Sequence, residues 1–173
     1  MISTLLVVYP WFSPAVLAVL VLAGPLIGRW LASRQRLAWT IFGASLLPVV
    51  ALTLVPTSRE VFERCAVAWT VPTFGRVELM ANVILFIPPV LLAAVACRRP
   101  ALALVGGVVA SAGIEVAQAL LTGLGRSCDT NDWLSNSIGA VIGAGLAWVA
   151  LAARRRQTAP GSGARVGRSS PGV

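Results

Sequence analysis

The sequence predicts an all-α membrane protein, a bundle of about five transmembrane helices with the N terminus outside and the C terminus inside. Three observations lead there. Hydrophobic residues make up 57% of the chain and charged residues only 12%, whereas an ordinary soluble domain is about 25% charged. Five apolar runs each approach or exceed the roughly 20 residues that cross about 30 Å of hydrocarbon. The 14 basic residues, all arginine, flank those runs, mostly in short clusters. In lipid each segment must bond its own backbone amides, so the runs are helices rather than isolated strands.

The first run, Leu5–Gly28, has no basic residues before it, is too long for a signal-peptide core and lacks a small-residue cleavage site. It is expected to be a retained helix whose ends are blurred by Pro10, Pro14 and Pro25. The second run is Leu37–Pro56. The segment Thr57–Glu78 is the only sizeable outer loop. It opens with Thr57-x-x-Glu60, a capping-box pattern, and a Glu60/Arg64 pair one turn on. This predicts a short surface helix, with Val61, Phe62, Val67, Trp69 and Phe74 settling into the headgroup region.

The third run, Leu79–Cys97, and the fourth, Ala101–Leu124, are joined by Arg98-Arg99-Pro100, which predicts an antiparallel hairpin. The fifth run is Trp133–Ala152. It carries Gly139, Ala140, Gly143 and Ala144 at small-xxx-small spacing, and the fourth carries Gly106, Gly107, Ala110 and Gly113. Small residues let helices approach closely, which predicts contact between the fourth and fifth spans. The tail beyond, rich in Gly, Ser, Pro and Arg, lacks the apolar residues to fold. The organisation expected is residues 1–78 for two helices and the outer loop, 79–152 for a three-helix core, and 153–173 for a disordered, basic cytoplasmic tail.

Orientation follows from the arginines. With the N terminus outside, ten of the 14 face the cytoplasm: Arg29, Arg34, Arg36, Arg98, Arg99, Arg154, Arg155, Arg156, Arg165 and Arg168. The other four lie outside, as the positive-inside rule prefers. The net charge of +8 is therefore topogenic, and no nucleic-acid partner is expected. The tail arginines suit anionic lipid, at about 1 kcal/mol each near the surface. Cys65 and Cys128 fall on the outer side, where disulfides persist, so the two can form a bridge; the alternative is that both are free packing residues. Cys97 falls at the cytoplasmic end of the third span.

Ionisable groups at bilayer depth cost several kcal/mol and need a reason. Glu78 and Asn82 stand one turn apart on the third span, Glu115 and Gln118 three apart on the fourth, and Asp132 and Asn136 four apart on the fifth. Each pair shares a helix face. At about 1.5 Å per residue, Asn82 and Asn136 lie roughly 5 Å inside the outer boundary and Glu115 roughly 10 to 15 Å below the end of its span. With Arg126, Asp129 and Asp132 in the loop above, these residues predict a polar pocket open to the outer face. The plainer reading is interhelical hydrogen bonding that only fixes packing.

The same positions carry a resemblance. Asn82-Val-Ile-Leu85-Phe86-Ile-Pro88 is similar to the N-x-x-x-F-x-P segment of the VanZ-like family, and Glu115-x-x-Gln118 to its E-x-x-Q. Arg126-x-Cys128-Asp129-x-x-Asp132, followed by Asn136-x-x-Gly139, resembles its R-x-x-D-x-x-D-x-x-x-N-x-x-G signature. The four motifs occur in order over about residues 79 to 146. The sequence departs from the pattern at Val90, where the family usually has glycine, preceded by a second proline, Pro89. A kink or altered packing is expected there. The resemblance implies a multi-pass protein of the bacterial cell membrane, in a family named for an accessory protein of glycopeptide resistance associated with reduced sensitivity to teicoplanin.

Three functions fit. The pocket would bind an envelope lipid or other amphiphile, with a tail lying along the small-residue groove. Alternatively, an enzyme would act on a lipid-linked precursor, with Glu115 as acid or base, Asp129 and Asp132 as a second carboxylate or a metal pair, and Arg126 holding phosphate. The absence of histidine removes histidine-based triads and HExxH zinc chemistry, leaving carboxylate or divalent-metal mechanisms with no cofactor specified. A transporter or flippase component is the third, and with five unduplicated spans it would call for an oligomer.

Overall fold

A computed structural model describes residues 11–56 and 64–158. The Thr57/Glu60 cap, the Glu60/Arg64 pair, Val61 and Phe62 lie outside the described residues, as does the tail from residue 159. Five helices follow in order: α1 Phe12–Leu31, α2 Gln35–Thr53, α3 Val77–Cys97, α4 Pro100–Leu120 and α5 Thr130–Thr158. Each is long and apolar enough to cross a membrane. α5 continues through Thr158 instead of stopping at Ala152. Arg155 and Arg156 in its last turn complement the negative end of the helix dipole, so charge there extends the helix rather than ending it.

α3 is the hub. Beyond Asn82 it is apolar on every face, and it buries Leu79, Met80, Val83, Phe86, Ile87, Val90, Leu91, Ala94 and Val95, as a helix enclosed by others requires. Around it stand α1, α2, α4 and α5. α1, α2 and α4 expose large apolar side chains such as Leu22, Leu47 and Val109 on their outer faces, the surface that meets lipid tails. Pro88 and Pro89 fall inside α3, which runs unbroken through both as a helix.

The expected contact between α4 and α5 is present, and the closest helix pairing is α3 with α5. The Gly139/Gly143 face of α5 meets α3 rather than α4. A Cβ at Gly139 would overlap the carbonyl oxygen of Val83, and one at Gly143 would lie 2.6 Å from the carbonyl oxygen of Ile87. α4 does pack against α5, but Gly106 and Gly113 have nothing within 4 Å of an added Cβ. Only Gly107 of that set is in a tight place, 2.7 Å from Val90 and 3.2 Å from Ala140. The bulk of Val90, where glycine is usual, is thus accommodated by a glycine on the facing helix.

The two ends of the bundle differ. At one end the connections are tight: Arg98 ends α3 in the left-handed conformation (φ 56°) that a glycine usually supplies, and Pro100 opens α4. At the other end residues 64–76 form no helix; the cap and charge pair that predict a surface helix lie outside the described residues. They begin as a strand, β1 Cys65–Ala66, paired in parallel with β2 Cys128–Asp129. Cys65 and Cys128 are joined as a disulfide, with Cα atoms 4.5 Å apart. Beyond it Thr130 Oγ1 donates to the Ala68 carbonyl at 2.6 Å and accepts from its N–H, while Thr70 N–H donates to Asn131 Oδ1. The backbone of the strap is therefore satisfied by the start of α5. Its side chains alternate, leaving Val67, Trp69 and Val71 exposed.

Candidate functional site

The site is built where α2 and α4 end and α3 and α5 begin. Thr53 terminates α2; Asn82 lies in the second turn of α3; Ser111, Glu115 and Gln118 form a stripe along the last turns of α4; Asp132 and Asn136 stand one turn apart on α5. Their i, i+4 and i, i+7 spacings place each set on one face of its helix.

Hydrogen bonds connect the faces. Asn82 Nδ2 donates to Asp132 Oδ1 at 2.6 Å, tying α3 to α5. Gln118 Nε2 donates to the carbonyl of Thr53 at 2.9 Å, tying α4 to α2. Asn136 Nδ2 donates to Ser111 Oγ at 3.0 Å, tying α5 to α4, and both residues are fully buried. Glu115 Oε2 accepts the N–H of Asp129 at 2.8 Å, which fixes the loop beside β2 to α4. Arg126 reaches from that loop to the carbonyl of Val55, 3.3 Å from its Nε.

A cavity of about 100 Å³ lies among these groups. Asn82, Glu115, Gln118, Arg126, Asp132 and Asn136 line it, with Leu52, Thr53, Ala81 and Leu85 completing the wall. Of the residues singled out in sequence, the structure brings these six together and leaves one apart. Asp129 contributes its backbone, while its side chain accepts the N–H of Asn131 at 2.8 Å and caps the start of α5. Glu78, paired with Asn82 by spacing, is exposed. Among the described residues no group of three or more His, Cys, Asp or Glu side chains is arranged to hold a metal ion.

A family model described as VanZ/LLP1 matches residues 11–151. The chain belongs to the VanZ/LLP1 family. The match takes in α1 and α2 as well as the motif-bearing helices, a wider span than the signature residues cover. No curated protein and no solved structure matches the chain.

Two contributors to this VanZ/LLP1 site escape a reading by ionisable residues. Ser111 lies one turn before Glu115 and so was legible as part of its stripe; Thr53 enters through a main-chain carbonyl that no side-chain pattern reveals. Asn82, Gln118 and Asn136 each donate one amide nitrogen, and Arg126 its Nε, to a protein acceptor, whereas Asn136 Oδ1 is buried without a hydrogen-bond partner.

Proposed function

We propose that this VanZ-like protein of the bacterial cell membrane binds the polar head of a cell-envelope amphiphile in the cavity between α2, α3, α4 and α5. The cavity end faces outward, with the N terminus outside and the C terminus in the cytoplasm. In this way the protein lowers sensitivity to the glycopeptide teicoplanin. The ten-to-four arginine distribution supports the orientation. The observation that carries the reading is the cavity itself, a polar recess inside an apolar bundle, lined by two carboxylates, three amides and a guanidinium. Helix packing alone is served by the amide bonds to Thr53 and Ser111. A carboxylate at bilayer depth is a costly way to achieve the same tie.

A second reading keeps the same cavity for a carboxylate-dependent reaction on a lipid-linked precursor, with Glu115 and Asp132 as acid and base across one wall. Both readings are tested by growth inhibition with teicoplanin, measured alongside membrane abundance in cells expressing wild type, Glu115→Gln, Asp132→Asn or Arg126→Ala. Wild type raises the inhibitory concentration, and the variants at equal abundance do not. Variants that protect as well as wild type would remove the cavity from the function.

A further inference from the structure

Counting hydrogen-bonding capacity around the cavity identifies what it lacks. Asn82 and Gln118 each use the amide nitrogen on a carboxylate and a carbonyl, partners that accept, so their amide oxygens are left over. Glu115 and Asp132 each use one carboxylate oxygen within the protein. Asn136 is 2% exposed, and its Oδ1 is buried without a hydrogen-bond partner. Ser111 Oγ can serve its amide as acceptor or donor; in either orientation one amide atom of Asn136 is left over. A buried polar atom without a partner costs about 1–3 kcal/mol, and its residue lines the cavity.

The residues lining this cavity therefore leave Asn82 Oδ1, Glu115 Oε1, Gln118 Oε1, Asp132 Oδ2 and Asn136 Oδ1 without a hydrogen bond from any described residue. Two of the five belong to carboxyl groups. An anion finds little to bind among them. A quaternary ammonium offers charge but no N–H. A primary ammonium offers one positive charge and three donors on a small head, and a cavity of about 100 Å³ accepts it. Arg126 stands on the same wall, placed to meet a phosphate that follows the amine.

We infer that the cavity recognises the primary ammonium of an aminoalkyl headgroup, with Glu115, Asp132 and Asn136 accepting its N–H groups and Arg126 holding the adjoining phosphate. This rests on the amphiphile-binding reading above and specifies the headgroup.

The test uses the full chain, purified in non-ionic detergent and titrated with single lipids, bound lipid being counted by native mass spectrometry. The probes are phosphatidylethanolamine, phosphatidylcholine and phosphatidylglycerol of one acyl composition, together with soluble phosphoethanolamine. Ala81→Phe, which fills the cavity wall, defines the share of binding that is annular. Cavity-dependent affinity for phosphatidylethanolamine should exceed that for the other two lipids by about tenfold or more, since charge-assisted hydrogen bonds to the head are lost in both. Glu115→Gln should collapse that preference while the protein remains folded by circular dichroism.

Equal cavity-dependent binding of phosphatidylcholine and phosphatidylethanolamine overturns the ammonium assignment and leaves amphiphile binding standing. Cavity-dependent binding of phosphoethanolamine without any lipid keeps the ammonium and overturns the amphiphile. Lipid binding that Ala81→Phe does not reduce, with no phosphoethanolamine bound, overturns both.

Discussion

The two ends of this bundle solve the same problem with opposite economies of polar atoms. At the tight-turn end Gln35 donates to the carbonyl of Ala96 at 2.8 Å and Arg98 to the carbonyl of Ala32 at 3.3 Å. Each tie matches a side-chain donor to a backbone acceptor, and the charged residues there are all arginine. At the cavity end the ties include Asn82–Asp132 and Glu115–Asp129, and the acceptors outnumber the donors. Among the described residues every aspartate and glutamate, Glu78, Glu115, Asp129 and Asp132, lies in the segments at this end. At the first end the ties from Gln35 and Arg98 each end on a backbone carbonyl. The second end keeps a surplus of oxygen, which is what a binding site for a donor requires and a purely structural joint does not.

The largest effect should come from the seam that holds both ends in register. Gly139→Leu forces a side chain into the Val83 carbonyl of α3, a backbone position that cannot yield as a flexible side chain would. The expected loss is on the order of 3 kcal/mol or more, seen as a lower midpoint in denaturing-detergent titration followed by circular dichroism. Gly113→Ala on α4, with open space around it, should change stability by no more than about 1 kcal/mol and in the stabilising sense. Similar losses from the two would mean that α3 and α5 are not in close contact.

The disulfide separates the ends next. Cys65 and Cys128 are 63 residues apart in sequence, and the bridge holds the strap against the loop whose Asp129 N–H anchors Glu115. Replacing both by serine should lower stability by about 2–4 kcal/mol, with the cavity end affected and the Gln35–Ala96 end unchanged in amide exchange. The same cysteines test the orientation. In intact cells an impermeant maleimide should label Cys65 and Cys128 only after an impermeant reductant, and Cys97 only after the cells are opened. Labelling of Cys97 in intact cells would invert the proposed topology.

How far the sequence carries the fold depends on which physical rule is strict. Lipid thickness is strict, so five spans were legible as five apolar runs, with ends displaced by a few residues where arginines or prolines border them. Helix periodicity is nearly as strict, which is why Asn82, Glu115, Gln118, Asp132 and Asn136 were legible as sharing faces and line one cavity. Glycine marks a close approach without naming the partner, and the Gly139/Gly143 face went to α3. A two-residue strand has no pattern to read, so the pairing of Cys65–Ala66 with Cys128–Asp129 was not legible in the sequence. Asp129 illustrates the remaining gap: its type suggests a pocket carboxylate, but it begins a helix, and the cap has first claim on its side chain.

The smallest effect gives the sharpest comparison, because two glutamines make nearly the same bond at opposite ends. Gln35 Nε2 meets the carbonyl of Ala96 at 2.8 Å, and Gln118 Nε2 meets that of Thr53 at 2.9 Å. Gln35→Leu and Gln118→Leu should each lower stability by about 0.5–1.5 kcal/mol, the ordinary net worth of one hydrogen bond, in the same denaturing-detergent titration. Only Gln118→Leu also removes an oxygen from the cavity wall, and it frees the end of α2 beside Leu52 and Thr53. Lipid binding should therefore fall in Gln118→Leu and stay at the wild-type level in Gln35→Leu, although the two proteins are equally stable. If binding fell equally in both, it would be tracking the integrity of the bundle, and the oxygen surplus at the cavity end would be a feature of packing alone.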